Sequence, residues 1–107
     1  MIRYKFGDVL LVLFSQPNGE QKKRPAMVIL DTGDDDVVLV PITTKERKGK
    51  GDFEIKNWQE SGLLLDSWVR LSKIACIDKK SIERFFGKII PNDRKEIISI
   101  WRQTYKF

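Results

Sequence analysis

The strongest constraint on the fold is a pair of apolar runs, residues 26–30 and 37–40, separated by the turn-forming cluster Asp31-Thr32-Gly33-Asp34-Asp35-Asp36. Runs this short, rich in Val, Ile and Leu and joined by Gly and Asp, predict two antiparallel strands of one hairpin rather than a helix. The open end of that hairpin carries Lys22-Lys23-Arg24-Pro25 on one strand and Pro41-Ile42-Thr43-Thr44-Lys45 on the other. A turn centred between Gly33 and Asp34 sets Arg24 directly opposite Thr43, a permanent cation beside a hydroxyl on neighbouring strands. A β-bulge would move this register by one residue.

The rest of the chain reads as further short strands closed by one helix. Gly7-Asp8 opens a strand over residues 9–14, and Ser15-Gln16-Pro17-Asn18-Gly19 turns the chain back toward the hairpin. Residues 52–55 alternate polar and apolar, Asn57 is placed to cap one helical turn stopped by Gly62, and residues 68–77 predict a long strand. Asp78 is placed to cap a short turn, and residues 85–90 predict a last strand. After Pro91, the residues Ile97, Ile98, Trp101 and Tyr105 fall on one stripe while Arg94, Lys95, Glu96 and Arg102 face water. This is the pattern of an amphipathic helix begun by proline. Many short strands with one packing helix predict a mainly β domain, a compact, partly closed antiparallel barrel, over residues 1–107 as a single unit.

Composition narrows the chemistry. Lys and Arg number 20 against 15 Asp and Glu, a net charge of +5, which fits an anionic partner. The chain has no histidine and one cysteine, so the usual zinc ligands are lacking and the commonest proton shuttle is absent. Asp34, Asp35 and Asp36 lack the spacing of a calcium loop and read as a solvated turn. Neither a metal nor a cofactor is expected. Cys76, between Ala75 and Ile77, reads as a small buried core residue in a reducing, cytoplasmic compartment. No apolar run approaches the roughly 18 residues that span a membrane, and the start of the chain lacks the architecture of a signal peptide.

The ordered set Gly7-Asp8-Val9, Lys23-Arg24-Pro25-Ala26-Met27-Val28-Ile29, Val40-Pro41-Ile42-Thr43, Gly62-Leu63-Leu64, Val69-Arg70-Leu71, Lys73-Ile74 and Ile77-Asp78-Lys79 resembles the PemK/MazF family of toxins. Each piece alone is weak, whereas the order is specific and runs from about residue 6 to the end of the chain. The resemblance implies an SH3-like small barrel, a homodimer, sequence-selective cleavage of single-stranded RNA and neutralisation by a cognate antitoxin. It also implies that Arg24 and Thr43 occupy the two catalytic positions, the arginine of the Arg-Pro dipeptide and the threonine ending the following strand. Two features depart from the family pattern. The loop over residues 18–23 is shorter than in several members, and Ser72 stands where a number of them carry an acid.

The chemistry of RNA cleavage suits these residues. Attack by a ribose 2′-hydroxyl needs a group to take its proton, stabilisation of a phosphorane with extra negative charge, and protonation of the departing 5′-oxygen. Arg24 presents planar donors to phosphate oxygens and stays charged, which suits it to stabilise the phosphorane rather than to act as a general acid. Thr43 can hold a phosphate oxygen or the 2′-hydroxyl, but a threonine alone is a poor base, and Glu20 on the preceding loop is the candidate to take the proton. Lys22, Lys23, Lys45, Arg47, Lys48 and Lys50 form a basic edge for RNA, or for an acidic antitoxin tail that mimics it. Arg70 is a further phosphate contact or a solvated strand residue, and Trp58, in a polar stretch, is a candidate to stack on a base. Two other readings stay open: a toxin of the same fold that inhibits a topoisomerase without catalysis, and a catalytically silent nucleic-acid-binding module.

Overall fold

In the computed structural model, which describes residues 2–107, the hairpin sits at the centre of a larger sheet. The elements in order are β1 (Asp8–Ser15), β2 (Gln21–Leu30), β3 (Asp36–Thr43), β4 (Asp52–Ile55), β5 (Ser67–Arg70) and β6 (Ala75–Asp78). A 3-10 turn (Lys79–Ser81), β7 (Ile82–Lys88) and the helix α1 (Pro91–Thr104) follow. Across the sheet the strands run β4-β5-β3-β2-β1-β7, with β6 paired to the first half of β3. The mainly β reading with one C-terminal helix therefore holds.

Period-two alternation along the central strands sorts their side chains into two apolar layers. Val9, Met27, Val40 and Ile42 join Ile55, Val69, Leu71 and the helix residue Ile97 in one, while Leu10, Val12, Ala26, Val28, Val37 and Leu39 form the other. Pro91 opens α1 as expected, and Ile97 is fully buried with Ile100 and Trp101 packed beside it. Ile98 does not share that stripe; it lines a shallow groove on the outer face with Lys95 and Arg102. Asp93, in the first turn of α1, is 2% exposed and accepts the N–H groups of Lys56 and Asn57 and the Asn57 side-chain amide. Asn57 thus spends its side chain on the helix rather than on capping, while the backbone still makes the single turn expected, with the Ser61 N–H donating to the Asn57 oxygen before Gly62.

That segment packs on β7, while the sheet itself stays open. Gly62 has φ +89°, and a Cβ there would lie 2.2 Å from the Phe86 carbonyl oxygen; a Cβ on Gly87 would lie 2.6 Å from the Ser61 oxygen. Only glycine at these two positions lets the turn rest on β7.

The long strand expected over residues 68–77 is instead two strands. Val69 faces Ile42 and Ala75 faces Leu39, six residues along one strand against three along the other, so three residues are looped out. Leu71 sits at that break with its N–H donated to the Gly51 oxygen and its own oxygen accepting the Tyr105 hydroxyl. Its backbone is satisfied by a loop and by the end of α1, which leaves nothing for β3. Burial raises the pKa of that Tyr105 hydroxyl.

Two side-chain expectations also change. In β6, Ala75 and Ile77 pack on the second apolar layer, so alternation turns Cys76 outward and it is exposed rather than buried. Trp58 packs against the first layer and is half-buried. The hairpin turn is fixed by Asp31, which is 6% exposed and accepts the N–H groups of Tyr4 and Gly33 while Lys79 lies 2.9 Å away. Burial acts to raise its pKa, but those N–H groups and the ammonium outweigh it and hold the carboxyl at about 2, below its ordinary 3.8. Among the described residues, no helix is long and apolar enough to cross a membrane.

Candidate active site

The register expected for the hairpin is present: Ala26 pairs with Pro41, Met27 with Val40 and Val28 with Leu39, with a bulge nearer the turn. Beyond Ala26 the two strands part. β2 continues from Pro25 to Gln21 paired only to β1, while β3 swings to β5 with Ile42 opposite Val69 and Thr43 opposite Trp68. A proline stands on each strand where they separate, Pro25 and Pro41, and each lacks the N–H that would continue the ladder. Arg24 and Thr43 are therefore not a ladder pair. They stand on facing walls of the cleft opened by the divergence.

This cleft has a volume of about 530 Å³. Lys22, Arg24 and Pro25 line it from β2, and Ile42, Thr43, Thr44, Lys45 and Arg47 from β3 and the loop after it. Four of these residues are cations and none is an acid. Arg24 is exposed and has no hydrogen-bond or ion-pair partner among the described residues. Thr43 is half-buried, and its Oγ1 accepts the Lys45 N–H at 3.2 Å. That bond occupies an acceptor lone pair of the hydroxyl and leaves its proton free to be donated. An unneutralised guanidinium, three further cations and an oriented hydroxyl suit the cleft chemically to an anionic group such as a phosphate.

The remaining residues singled out in the sequence lie outside this lining. Glu20 is exposed on the loop before β2, with its carboxylate unpartnered among the described residues. Lys23 lies 3.3 Å from Glu83 of β7, and Lys48 lies 3.5 Å from Glu46. Lys50 belongs to the turn entering β4. Arg70 donates from Nε to Oδ1 of its ladder partner Asp52 at 3.2 Å, where the Asp52 side chain is only 2% exposed. Removing Arg70 would leave Oδ1 of this buried carboxylate without a donor, Oδ2 keeping the Gly49 N–H, so the position of Arg70 is tied to the β4 and β5 pairing.

Sequence reasoning missed a second, apolar cleft of about 240 Å³ that shares Pro25 and Thr44 with the first. Its walls include Leu11, Leu63, Leu64, Leu65 and Phe86, and Leu64 is 88% exposed. The signal was present in the run Leu63-Leu64-Leu65, too short to form an element of its own.

By sequence, no curated protein matches the chain. Solved structures share its fold at low identity. An endoribonuclease from a mycobacterial species is 17% identical with a TM-score of 0.76, the match covering 97% of this chain and 92% of that one. An endoribonuclease in complex with its cognate antitoxin, also mycobacterial, is 16% identical with a TM-score of 0.73 over 92% and 91%. A MazE–MazF structure from Deinococcus radiodurans is 18% identical with a TM-score of 0.72 over 95% of each chain. The sequence profile of the PemK-like, MazF-like toxins matches residues 5–102, nearly the whole chain. The chain therefore belongs to the PemK-like, MazF-like toxins of type II toxin–antitoxin systems.

Proposed function

We propose that this chain is a sequence-selective endoribonuclease that cuts single-stranded RNA without a metal ion and is neutralised by a cognate antitoxin. The observation that supports this most is the acid-free cleft in which an unpaired Arg24 faces Thr43. In the reaction, the 2′-oxygen of the nucleotide before the cut forms a bond to phosphorus and the bond to the 5′-oxygen breaks. The departing 5′-oxygen takes a proton from water, and the products are a 2′,3′-cyclic phosphate and a 5′-hydroxyl end. Arg24 binds the phosphorane oxygens that gain charge, and the Thr43 hydroxyl donates a hydrogen bond to one of them. Lys22, Lys45 and Arg47 hold the flanking phosphates. Glu20, on the exposed loop leading into β2, takes the 2′-hydroxyl proton.

The experiment is incubation of the purified chain with a long single-stranded RNA in EDTA, followed by sequencing of the cut ends. Discrete cuts with 5′-hydroxyl ends are expected. RNA left intact at high protein concentration would return the chain to the non-catalytic readings.

The same cleft suits an antitoxin tail rich in Asp and Glu, and two of the structural relatives named above are toxins solved with their antitoxins. A homodimer is part of this reading. On the helix, Ile97 and Trp101 are used inside the chain's own core, whereas Phe107, Leu64 and Leu65 are exposed. Light scattering at micromolar concentration should return about twice the 12.5 kDa chain mass, and the monomer mass would remove the dimer.

A further inference from the structure

A cavity of about 500 Å³ lies between the N-terminal segment and the edge strand β7 and shares no lining residue with the Arg24 cleft. That volume falls within the range of small-ligand pockets, about 300–1,000 Å³. Asp8 lines it and is 5% exposed. Its Oδ2 accepts the Lys5 N–H at 2.8 Å, but its buried Oδ1 has no hydrogen bond. Lys88 Nζ lies 3.4 Å from Oδ1, near enough for charge attraction without forming that bond, and the Lys88 side chain is 64% exposed and free to swing aside. A buried carboxylate oxygen lacking a donor is costly, so a ligand N–H placed there recovers a hydrogen bond the protein itself does not make.

Two further features share the cavity. Phe85 projects from β7 with 52% of its surface exposed, a large aromatic face on an unpaired strand edge. Lys5 and Lys88 are the cations available to an anion there, since the Arg3 guanidinium donates to the Asp31 carbonyl oxygen at 3.3 Å, that of Arg84 lies over the Phe86 ring, and Glu83 is engaged by Lys23. A simple anion leaves Asp8 opposed, and a simple amine is repelled by the cations. A nucleotide meets all three demands, with an exocyclic amino group as donor, a base to stack and a phosphate to be bound.

We propose that this cavity is a nucleotide subsite, in which Asp8 accepts from the base amino group, Phe85 stacks on the base, and Lys5 and Lys88 hold the phosphate. It rests on the ribonuclease reading only for the source of the nucleotide, a free molecule or one residue of the bound strand.

The test is NMR titration of the intact protein with CMP, with UMP, and with a non-cleavable 2′-O-methyl oligonucleotide containing cytosine. CMP should move the backbone amides of Lys5, Asp8, Arg84 and Phe85. UMP lacks the amino group and should bind at least about fivefold more weakly. Phe85→Ala, at an exposed position, should weaken CMP by at least about fivefold and leave distant amides unchanged. Shifts produced by the oligonucleotide but not by CMP would assign the subsite to the strand. No shift at these amides with any probe would overturn the proposal, as would equal binding of CMP and UMP unaffected by Phe85→Ala. Cleavage activity is scored separately: cutting with a silent cavity removes only the subsite, and an occupied cavity without cutting removes only the ribonuclease.

Discussion

Arg24→Ala is expected to slow RNA cleavage by at least about a hundredfold, the scale of losing one group that stabilises developing charge. Its stability should stay within about 0.5 kcal/mol of the parent, because Arg24 is exposed and makes no ion pair among the described residues. Arg24→Lys separates charge from geometry. An ammonium keeps the positive charge but loses the planar fork that engages two phosphate oxygens, so an activity between parent and Arg24→Ala is expected. Single-turnover rates together with denaturant unfolding decide the matter. A folded Arg24→Ala protein cutting as fast as the parent would remove Arg24 from the chemistry.

RNA affinity should fall steeply with salt. For single strands the logarithmic slope is about −0.7 per neutralised phosphate, so four contacts by Lys22, Arg24, Lys45 and Arg47 give a slope near −3. That amounts to about fiftyfold weaker binding between roughly 50 and 200 mM salt. The cleft further distinguishes two sets of cations. Replacing Lys22, Lys45 and Arg47 together by Gln should flatten the slope by about 2, whereas replacing Lys48 and Lys50, outside the lining, should leave it nearly unchanged. Equal effects from the two variants, measured on a non-cleavable RNA, would show that the strand does not run through the cleft.

The contrast between those cations shows what the sequence could and could not convey. The hairpin register was readable from its turn: centring it between Gly33 and Asp34 pairs Ala26 with Pro41, Met27 with Val40 and Val28 with Leu39, as observed. Gly62 and the stripe through Ile97 were readable from local rules of the same kind. What stayed hidden depends on partners distant in the chain. Glu83 engages Lys23 and Asp52 engages Arg70, so these cations differ from Lys22 and Arg24 only once the strands are in place. The break at Leu71 is of the same type, since Gly51 and Tyr105 supply its hydrogen bonds. Cys76 was misread because an apolar neighbourhood along a strand does not say which face is inward; alternation does.

The central claim, attack by a ribose 2′-hydroxyl in a cleft without histidine, is tested most directly by a single atom of the substrate. An oligonucleotide carrying the mapped cut site is compared with one in which the 2′-hydroxyl before that site is replaced by hydrogen, both in EDTA with excess protein. The account predicts a cyclic phosphate and a 5′-hydroxyl from the first, and no cut at that position in the second although it binds with similar affinity. Cleavage of the 2′-deoxy oligonucleotide at the parent rate would show that another nucleophile attacks the phosphate and would contradict the mechanism built on Arg24 and Thr43.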